Sequence, residues 1–444
     1  MVQVRLEKNA LYLLAASCVT NLSLFLVNII LINRLSKTDF GIFTLMVSLI
    51  YMYIVFSELG ISQGTIKYIS EYNALGNIEY IKSHIKSFFS ATLIISLLFL
   101  ILFYLSIPLW RNFYDILPIN YAVLFALSII PYPLVRYWNA ITDGFQSMKY
   151  ALLFSLVREP IKLLCLVFVI FVFSIDLQKT VIVFIVASYI TLLCSYIIYR
   201  NFTAKKDIHI EIGIERSVLL NRVKIKYFSY LYMAFLIFWI QPNILFLIIG
   251  RFLSPQDIAV FTACYILNNI MWVFLLPIMD TLYPFISSIS TNKGMFISAQ
   301  KKINIVLFIV ITYSFLWVIA VYFFGEKMIS FLYGNLYAAH QNILYLLSIS
   351  LFFDCFRVLF DPILKGTKYA NILLCLELAR LIGLIVIGPL SIVKGGLIYF
   401  CYLMILLSLI VNFLKSYFLS RYFSLNLIWS YCYALALLML VCFL

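Results

Sequence analysis

The chain has 444 residues, of which 65% are hydrophobic and only 11% are charged, and its formal net charge is +14. Soluble domains carry roughly a quarter charged residues, so this composition excludes an ordinary soluble fold, which has too little interior to hide so much apolar surface. The apolar runs are also too long for barrel strands, which need about 9–11 residues to cross a bilayer. The chain is therefore predicted to be an all-α integral membrane protein.

Twelve apolar segments have the length of a transmembrane helix, for which about 20 residues are needed. In chain order they are 10–32, 41–59, 86–108, 119–138, 151–174, 180–200, 228–250, 257–279, 303–325, 341–362, 370–391 and 394–419. The first segment is expected to be an uncleaved anchor, because it is long enough to span the bilayer and no signal peptide is evident. A final apolar stretch at 428–444 is either a short thirteenth span or a helix that lies on the membrane surface.

The basic residues of the loops indicate the orientation of the chain. With the N-terminus in the cytoplasm, and with cations near the ends of spans counted with the adjoining loops, the inside segments hold 21 Lys and Arg residues and the outside segments hold 7. The other 4 lie deeper within spans, which together make the 32 of the chain. Cytoplasmic loops of membrane proteins are enriched in Lys and Arg. The chain is therefore predicted to have its N-terminus in the cytoplasm. Nucleic-acid binding is not expected, because the basic residues are spread over many short loops.

A short element near the start of the chain is repeated after half its length. The matched residues are Arg34, Asp39, Phe43 and Thr44 in the first copy and Arg251, Asp257, Phe261 and Thr262 in the second. The first copy enters the second predicted span and the second copy enters the eighth. Because six is an even number of crossings, both halves have the same orientation. The repeat predicts two six-helix lobes around a central cavity, related by a pseudo-twofold axis along the membrane normal.

The repeat and the loop lengths predict the division of the chain. The predicted parts are an N-lobe at 1–200, a basic cytoplasmic linker at 201–227, a C-lobe at 228–420 and a C-terminal extension at 421–444. The end of the linker is rich in Lys and Arg, which suits a helix lying on the anionic inner leaflet.

Eight ionisable residues lie inside the fifth, tenth and eleventh predicted spans. They are Arg158, Glu159, Lys162, Asp354, Arg357, Asp361, Glu377 and Arg380. An ion at the centre of a span costs roughly 2.5–3.5 kcal/mol even on the most lenient scale, so such residues are candidates for function. The alternative is structural, because the acids and bases stand at helical i+3 or i+4 spacing and are able to pair with each other. Snorkelling to the inner interface is a further alternative.

Three sequence motifs resemble those of one transporter family. They are Arg34 to Phe43, Glu58-Leu59-Gly60-Ile61 followed by Ile69-Ser70-Glu71-Tyr72, and Phe331-Leu332-Tyr333-Gly334 with Tyr337-Ala338-Ala339. They resemble polysaccharide flippases of the Wzx type, in the multidrug/oligosaccharidyl-lipid/polysaccharide exporter superfamily. Glu58 stands where that family often has Asp. The resemblance covers about residues 10–420.

The resemblance implies a transporter without enzymatic activity and without a cofactor. Such a protein moves a polyprenyl-diphosphate-linked oligosaccharide from the inner to the outer leaflet by alternating access, for O-antigen or capsule synthesis. Membrane lipid and other polysaccharide-assembly proteins are the further partners that it implies. A cation-coupled drug or metabolite antiporter of the same superfamily remains an alternative. A membrane glycan polymerase is a weaker one, because the outer loops here are short and such enzymes often carry a large one.

Under this resemblance, four of the intramembrane cations are expected to bind the diphosphate, because Lys and Arg bind phosphate oxygens well. They are Arg158, Lys162, Arg357 and Arg380. The acids Glu159, Asp354, Asp361 and Glu377 are expected to be polar groups of the cavity or ion-pair partners. Substrate binding and structural pairing both remain open for the cations, and pairing is favoured for the acids.

Three other residues carry weaker expectations. Glu58 and Asp280, at the cytoplasmic ends of the second and eighth spans, suit either gating and ion coupling or simple solvation at the interface, and solvation is preferred. Pro242 in the seventh span is a candidate hinge, because proline removes a backbone hydrogen bond from a helix. The nine Cys and three His residues show no metal-ligand spacing, and no catalytic or metal site is expected.

Overall fold

The computed structural model describes residues 2–206, 213, 222–289, 293–365 and 370–423. Every regular element within these ranges is helical, and they contain no strand. The predicted span at 428–444 and most of the predicted linker lie outside the described residues. The all-α class is thus confirmed for the part of the chain that the structure describes.

The helices of the first half of the chain are mostly long and follow one another with short connections. They are α1 (Val2–Arg34), α2 (Lys37–Ser57), α3 (Ile61–Ala74), α4 (Ile78–Phe113), α5 (Ile119–Phe125), α6 (Pro131–Gly144), α7 (Met148–Val172), α8 (Leu177–Ala204) and α9 (Arg222–Phe252). A short 3-10 turn, Ala126–Ile129, joins α5 to α6.

The second half of the chain contains the longest helix within the described residues. The helices of this half are α10 (Pro255–Asn269), α11 (Trp272–Ile289), α12 (Lys293–Tyr333), α13 (Asn335–Ala338), α14 (Gln341–Asp354), α15 (Arg357–Lys365) and α16 (Ala370–Phe423). The last of these is two helices joined at a kink, where Gly395 and Gly396 leave helical geometry and Gly396 has a φ of 63°. Glycine is suited to this position because it adopts positive φ without a side-chain clash.

Each of the twelve predicted spans coincides with one of these helices or with a pair of successive helices. Within the described residues, eight stretches are long and apolar enough to cross a membrane by length and composition. They are Leu11–Arg34, Lys37–Ala74, Ile78–Phe113, Ile119–Gly144, Leu177–Ala204, Ile303–Tyr333, Gln341–Lys365 and Asn371–Arg421. The last stretch contains two predicted spans, and the remaining predicted spans lie in α7, in α9 and in α10 with α11. The chain is a multi-pass membrane protein.

The two copies of the sequence repeat form the same helix start. Ser36 caps α2, where its hydroxyl accepts a hydrogen bond from the backbone N–H of Asp39 and donates one to the Asp39 carboxylate. Ser254 caps α10 in the same way through Asp257, whose carboxylate also accepts from the Ser254 backbone N–H. Such caps satisfy backbone N–H groups that have no partner within the helix. The repeat therefore preserves a capping motif.

The chain divides into two compact units, Met1–Arg251 and Phe252–Leu444. Almost all of α9 belongs to the first unit. The hydroxyl of Tyr114, which follows α4, donates to the backbone oxygen of Leu247 at 2.8 Å. The guanidinium of Arg136 lies 4.9 Å from the ring centre of Trp239. The predicted lobe boundaries at residues 200 and 228 stay a prediction.

A glycine lies at the close contact between α3 and α6. A Cβ on Gly144 would stand 2.8 Å from Cβ of Ile69 and 3.2 Å from the backbone oxygen of Ile66. Gly144→Ala is therefore expected to separate the two helices and to lower the free energy of unfolding by about 1–3 kcal/mol. Thermal unfolding of the purified protein measures this change.

The matched control is Gly383→Ala in α16. The nearest atom there is a terminal methyl group of Leu407 at 2.9 Å, which can rotate away. Alanine is also the better helix former by about 1 kcal/mol. Equal loss of stability in both variants would contradict close packing of α3 on α6.

Candidate functional site

The N-unit cluster consists of Tyr132 on α6 and of Arg158, Glu159 and Lys162 on α7. The ammonium of Lys162 donates to the carboxylate of Glu159 at 2.9 Å and to the hydroxyl of Tyr132. The guanidinium of Arg158 lies 3.3 Å from the other oxygen of Glu159. Two cations thus share one carboxylate inside an otherwise apolar helix, and this leaves a surplus positive charge in the cluster.

The four cations that are predicted to bind phosphate differ in the exposed fraction of their side chains. The side chain of Arg158 is 40% exposed, whereas those of Lys162, Arg357 and Arg380 are no more than 12% exposed. Arg158 is therefore the most accessible of the four to a ligand.

A second ion pair of the first unit joins α2 to α6 and α9. The carboxylate of Glu58, directly after α2, is buried and lies 3.2 Å from the guanidinium of Arg136. The same guanidinium rests on the ring of Trp239. The buried carboxylate of Glu58 is therefore stabilised by its ion pair with Arg136 and not by solvation at the interface. Its proposed gating role stays a prediction, and the side chain of Asp280 lies outside the described residues.

The C-unit cluster contains three acids and three bases, which form one bidentate ion pair and one network of four charges. Its members are Asp354, Arg357, Asp361, Glu377, Arg380 and Lys415. Arg380 donates two parallel hydrogen bonds to Asp354, at 2.8 and 2.7 Å. Lys415 donates to Asp361 at 2.8 Å and also to Glu377. Arg357 completes the network at 3.4 Å from Asp361 and 3.5 Å from Glu377.

Lys415 is the member of this network that the sequence analysis missed. It lies near the cytoplasmic end of the predicted span 394–419, where a Lys is expected to reach the interface. The structure buries its side chain completely. One signal pointed to it: the predicted charges of the tenth and eleventh spans leave one carboxylate without a balancing cation. Lys415 supplies that charge.

The structure shows two of the ion pairs that helical spacing allows, and a different partner where that spacing would pair Arg380 with Glu377. Glu159 pairs with Lys162, and Arg357 pairs with Asp361, as helical spacing predicts. Arg380 pairs with Asp354 on α14 instead of Glu377 on its own helix. The reason is geometric, because the planar guanidinium matches the Asp354 carboxylate in a bidentate pair while Glu377 is held by Lys415 and Arg357. Binding of substrate by these cations stays a prediction.

Pro242 lies within the continuous helix α9. Proline donates no backbone hydrogen bond, and nearby Asn243 donates a side-chain hydrogen bond to the backbone oxygen of Trp239 at 2.9 Å. The hinge role of Pro242 stays a prediction. Among the described residues, no group of three or more His, Cys, Asp or Glu side chains is arranged to hold a metal ion.

Comparison with known proteins gives one family match. A family model described as "Polysaccharide biosynthesis protein" matches residues 6–290, which is more than half of the chain. No curated protein matches the chain significantly.

Several solved transporter structures share the fold. A multidrug resistance MATE family transporter of the MOP superfamily, in an inward-facing conformation, is 14% identical with a TM-score of 0.68, over 93% of this chain and 95% of that one. A MATE structure in the bent conformation is 13% identical with a TM-score of 0.66, over 98% and 95%. A Vibrio cholerae MATE transporter is 16% identical with a TM-score of 0.62, over 97% and 96%. At these identities the likeness establishes the fold alone.

Proposed function

We propose, from the premise that this chain belongs to the polysaccharide biosynthesis protein family, that it is a flippase for a polyprenyl-diphosphate-linked oligosaccharide. It moves this lipid from the inner to the outer leaflet of the cytoplasmic membrane by alternating access, with its N-terminus in the cytoplasm. The transporter fold and the family description support the proposal at the level of class.

The surplus positive charge of the first unit carries the finer proposal. Two of its ion-pair groups contain Arg136, Arg158 and Lys162 but only the carboxylates of Glu58 and Glu159. A diphosphate is an anion that arginine binds with charge-assisted hydrogen bonds. Arg158 is the accessible group that makes the first contact, and Lys162 supports it from the same helix face. Arg357 and Arg380 offer further guanidinium groups for the diphosphate, although carboxylates hold both of them in the neutral C-unit cluster.

Deleting the gene in its native host tests the proposal. Surface polysaccharide is expected to be lost, and the lipid-linked oligosaccharide is expected to accumulate in the inner leaflet, because its glycan head cannot cross the bilayer unaided. Expression of the wild-type protein from a plasmid should restore both quantities. Polysaccharide stained at the cell surface and oligosaccharide lipid extracted from the membrane are the two measurements.

The alternative of a cation-coupled drug or metabolite antiporter is favoured by the fold of the MATE structures. Under this alternative, the deletion strain keeps its surface polysaccharide and becomes sensitive to exported compounds. If the protein is a glycan polymerase, the deletion strain gives a third result, in which single oligosaccharide units reach the surface without being joined.

A further inference from the structure

The partly exposed residues of α6 are all polar and lie on one face of the helix. Of the fourteen residues of α6, ten are buried and four are partly exposed. The four are Tyr132, Arg136, Asn139 and Asp143, which follow one another at intervals of four, three and four residues. This spacing places them on one side of a helix. We call this side the α6 polar face.

The α6 polar face differs from the exposed surfaces of neighbouring helices. The exposed positions of α4, α7 and α8 include large apolar side chains such as Leu105, Phe171 and Leu193. Those surfaces are suited to lipid. Polar groups facing hydrocarbon are costly, so a helix face whose partly exposed side chains are all polar is suited to a polar ligand or water. Asn139 and Asp143 lie just beyond the predicted span 119–138, on its cytoplasmic side.

Two acceptor atoms on the α6 polar face have no hydrogen-bond partner. They are Oδ1 of Asn139 and Oδ1 of Asp143, each shielded from solvent and unpaired among the described residues. An unsatisfied buried acceptor is destabilising, and such groups call for an explanation. The other end of the face is already engaged, because Tyr132 accepts from Lys162 and Arg136 is paired with Glu58.

From this geometry we infer that the α6 polar face binds the carbohydrate head of the substrate, with Asn139 and Asp143 accepting hydrogen bonds from sugar hydroxyl groups. The inference rests on the proposed function and extends it from the diphosphate to the glycan. The two acceptors lie one helical turn apart, which suits a ligand that offers several hydroxyl donors. Tyr132 connects this face to Lys162 of the N-unit cluster, so glycan and diphosphate contact adjacent helices.

A bound metal cation explains the two acceptors less well. Hard cations such as Ca²⁺ take six to eight oxygen ligands. Around Asp143, the described residues offer no group of three candidate metal ligands. Sugar hydroxyl groups need only one acceptor each.

The test measures lipid binding by the purified full-length protein in nanodiscs. The probes are the oligosaccharide lipid extracted from the native host and the same polyprenyl diphosphate without its glycan. Asn139→Leu and Asp143→Leu are each expected to weaken binding of the glycan-bearing lipid by about tenfold, the effect of one lost hydrogen bond of about 1.4 kcal/mol. Binding of the glycan-free lipid should change by less than about twofold.

Asp143→Asn separates hydroxyl recognition from cation binding. It keeps the size of the side chain and one acceptor oxygen but removes the charge, so binding should stay within about threefold of wild type if hydroxyl groups are recognised. A loss as large as that of Asp143→Leu would overturn the inference in favour of a cation site, because the asparagine keeps an acceptor oxygen for hydroxyl groups. The matched control is Asn33→Leu, which changes an exposed asparagine of α1. This variant should bind both lipids normally.

The outcomes distinguish this inference from the proposed function. If wild-type protein binds neither lipid, the proposed function fails. If wild-type protein binds the glycan-bearing lipid and the leucine variants bind it equally well, only the role of the α6 polar face is refuted.

Discussion

Lys415→Met is expected to cause the largest loss of stability among single substitutions in the C-unit cluster. The change removes the ammonium that Asp361 and Glu377 share, and both carboxylates remain buried. Breaking a buried ion pair by removing one partner costs about 3–5 kcal/mol. Thermal unfolding of purified protein and the amount of protein in the membrane measure the effect.

A surface lysine provides the matched control for Lys415→Met. Lys179 pairs with Asp176 at 3.4 Å, and both side chains are substantially exposed. Exposed ion pairs contribute little, about 0–1 kcal/mol, so Lys179→Met should leave stability nearly unchanged. Adding Asp361→Asn to Lys415→Met should recover part of the loss, because Arg357 is otherwise left with two buried carboxylates and the added change removes the surplus negative charge. Equal stability of Lys415→Met and wild type would contradict the network.

Arg158→Ala is expected to cause the largest loss of function with little loss of protein. Its guanidinium is the most exposed of the four predicted phosphate ligands. Glu159 keeps Lys162 as a partner after the change, so no buried charge is left alone. Removing a charge-assisted hydrogen bond of about 1.5–3 kcal/mol weakens diphosphate binding by roughly tenfold to a hundredfold. Surface polysaccharide should therefore be strongly reduced.

Arg158→Lys and Arg380→Ala sharpen the interpretation. Arg158→Lys keeps the charge but loses the planar donor pair, so it should restore part of the surface polysaccharide. Arg380→Ala should reduce both polysaccharide and protein amount, because Asp354 loses its bidentate partner. Normal polysaccharide in an Arg158→Ala strain that accumulates wild-type amounts of protein would refute phosphate binding by Arg158 and favour a purely structural cluster.

The sequence predicted the membrane spans and the helix starts better than it predicted the contacts of the charged residues. Apolar length predicted the spans well, because a membrane helix must satisfy its backbone hydrogen bonds internally whatever its neighbours are. The repeated Arg, Asp, Phe and Thr pattern predicted two equivalent elements, and the structure shows why: Ser36 and Ser254 start both helices with the same cap. Local hydrogen bonding of this kind depends on residues close in sequence.

The charged residues show where prediction from sequence stops. Their presence inside spans was evident, and pairs within one helix such as Arg357 with Asp361 follow from helical spacing. The pairing of Arg380 with Asp354 and of Lys415 with Glu377 joins residues 26 and 38 positions apart. No periodicity encodes such contacts, because they depend on how separate helices pack.

The sequence alone determined that this protein is an all-α, multi-pass membrane protein with a repeated helix start, since hydrophobic length and capping are local properties. The tertiary structure decided which charges neutralise one another, that Lys415 is buried among them, and that the partly exposed side chains of α6 are polar. The physical reason is that the free energy of a buried charge depends on its neighbours from other helices, and packing alone brings those neighbours together.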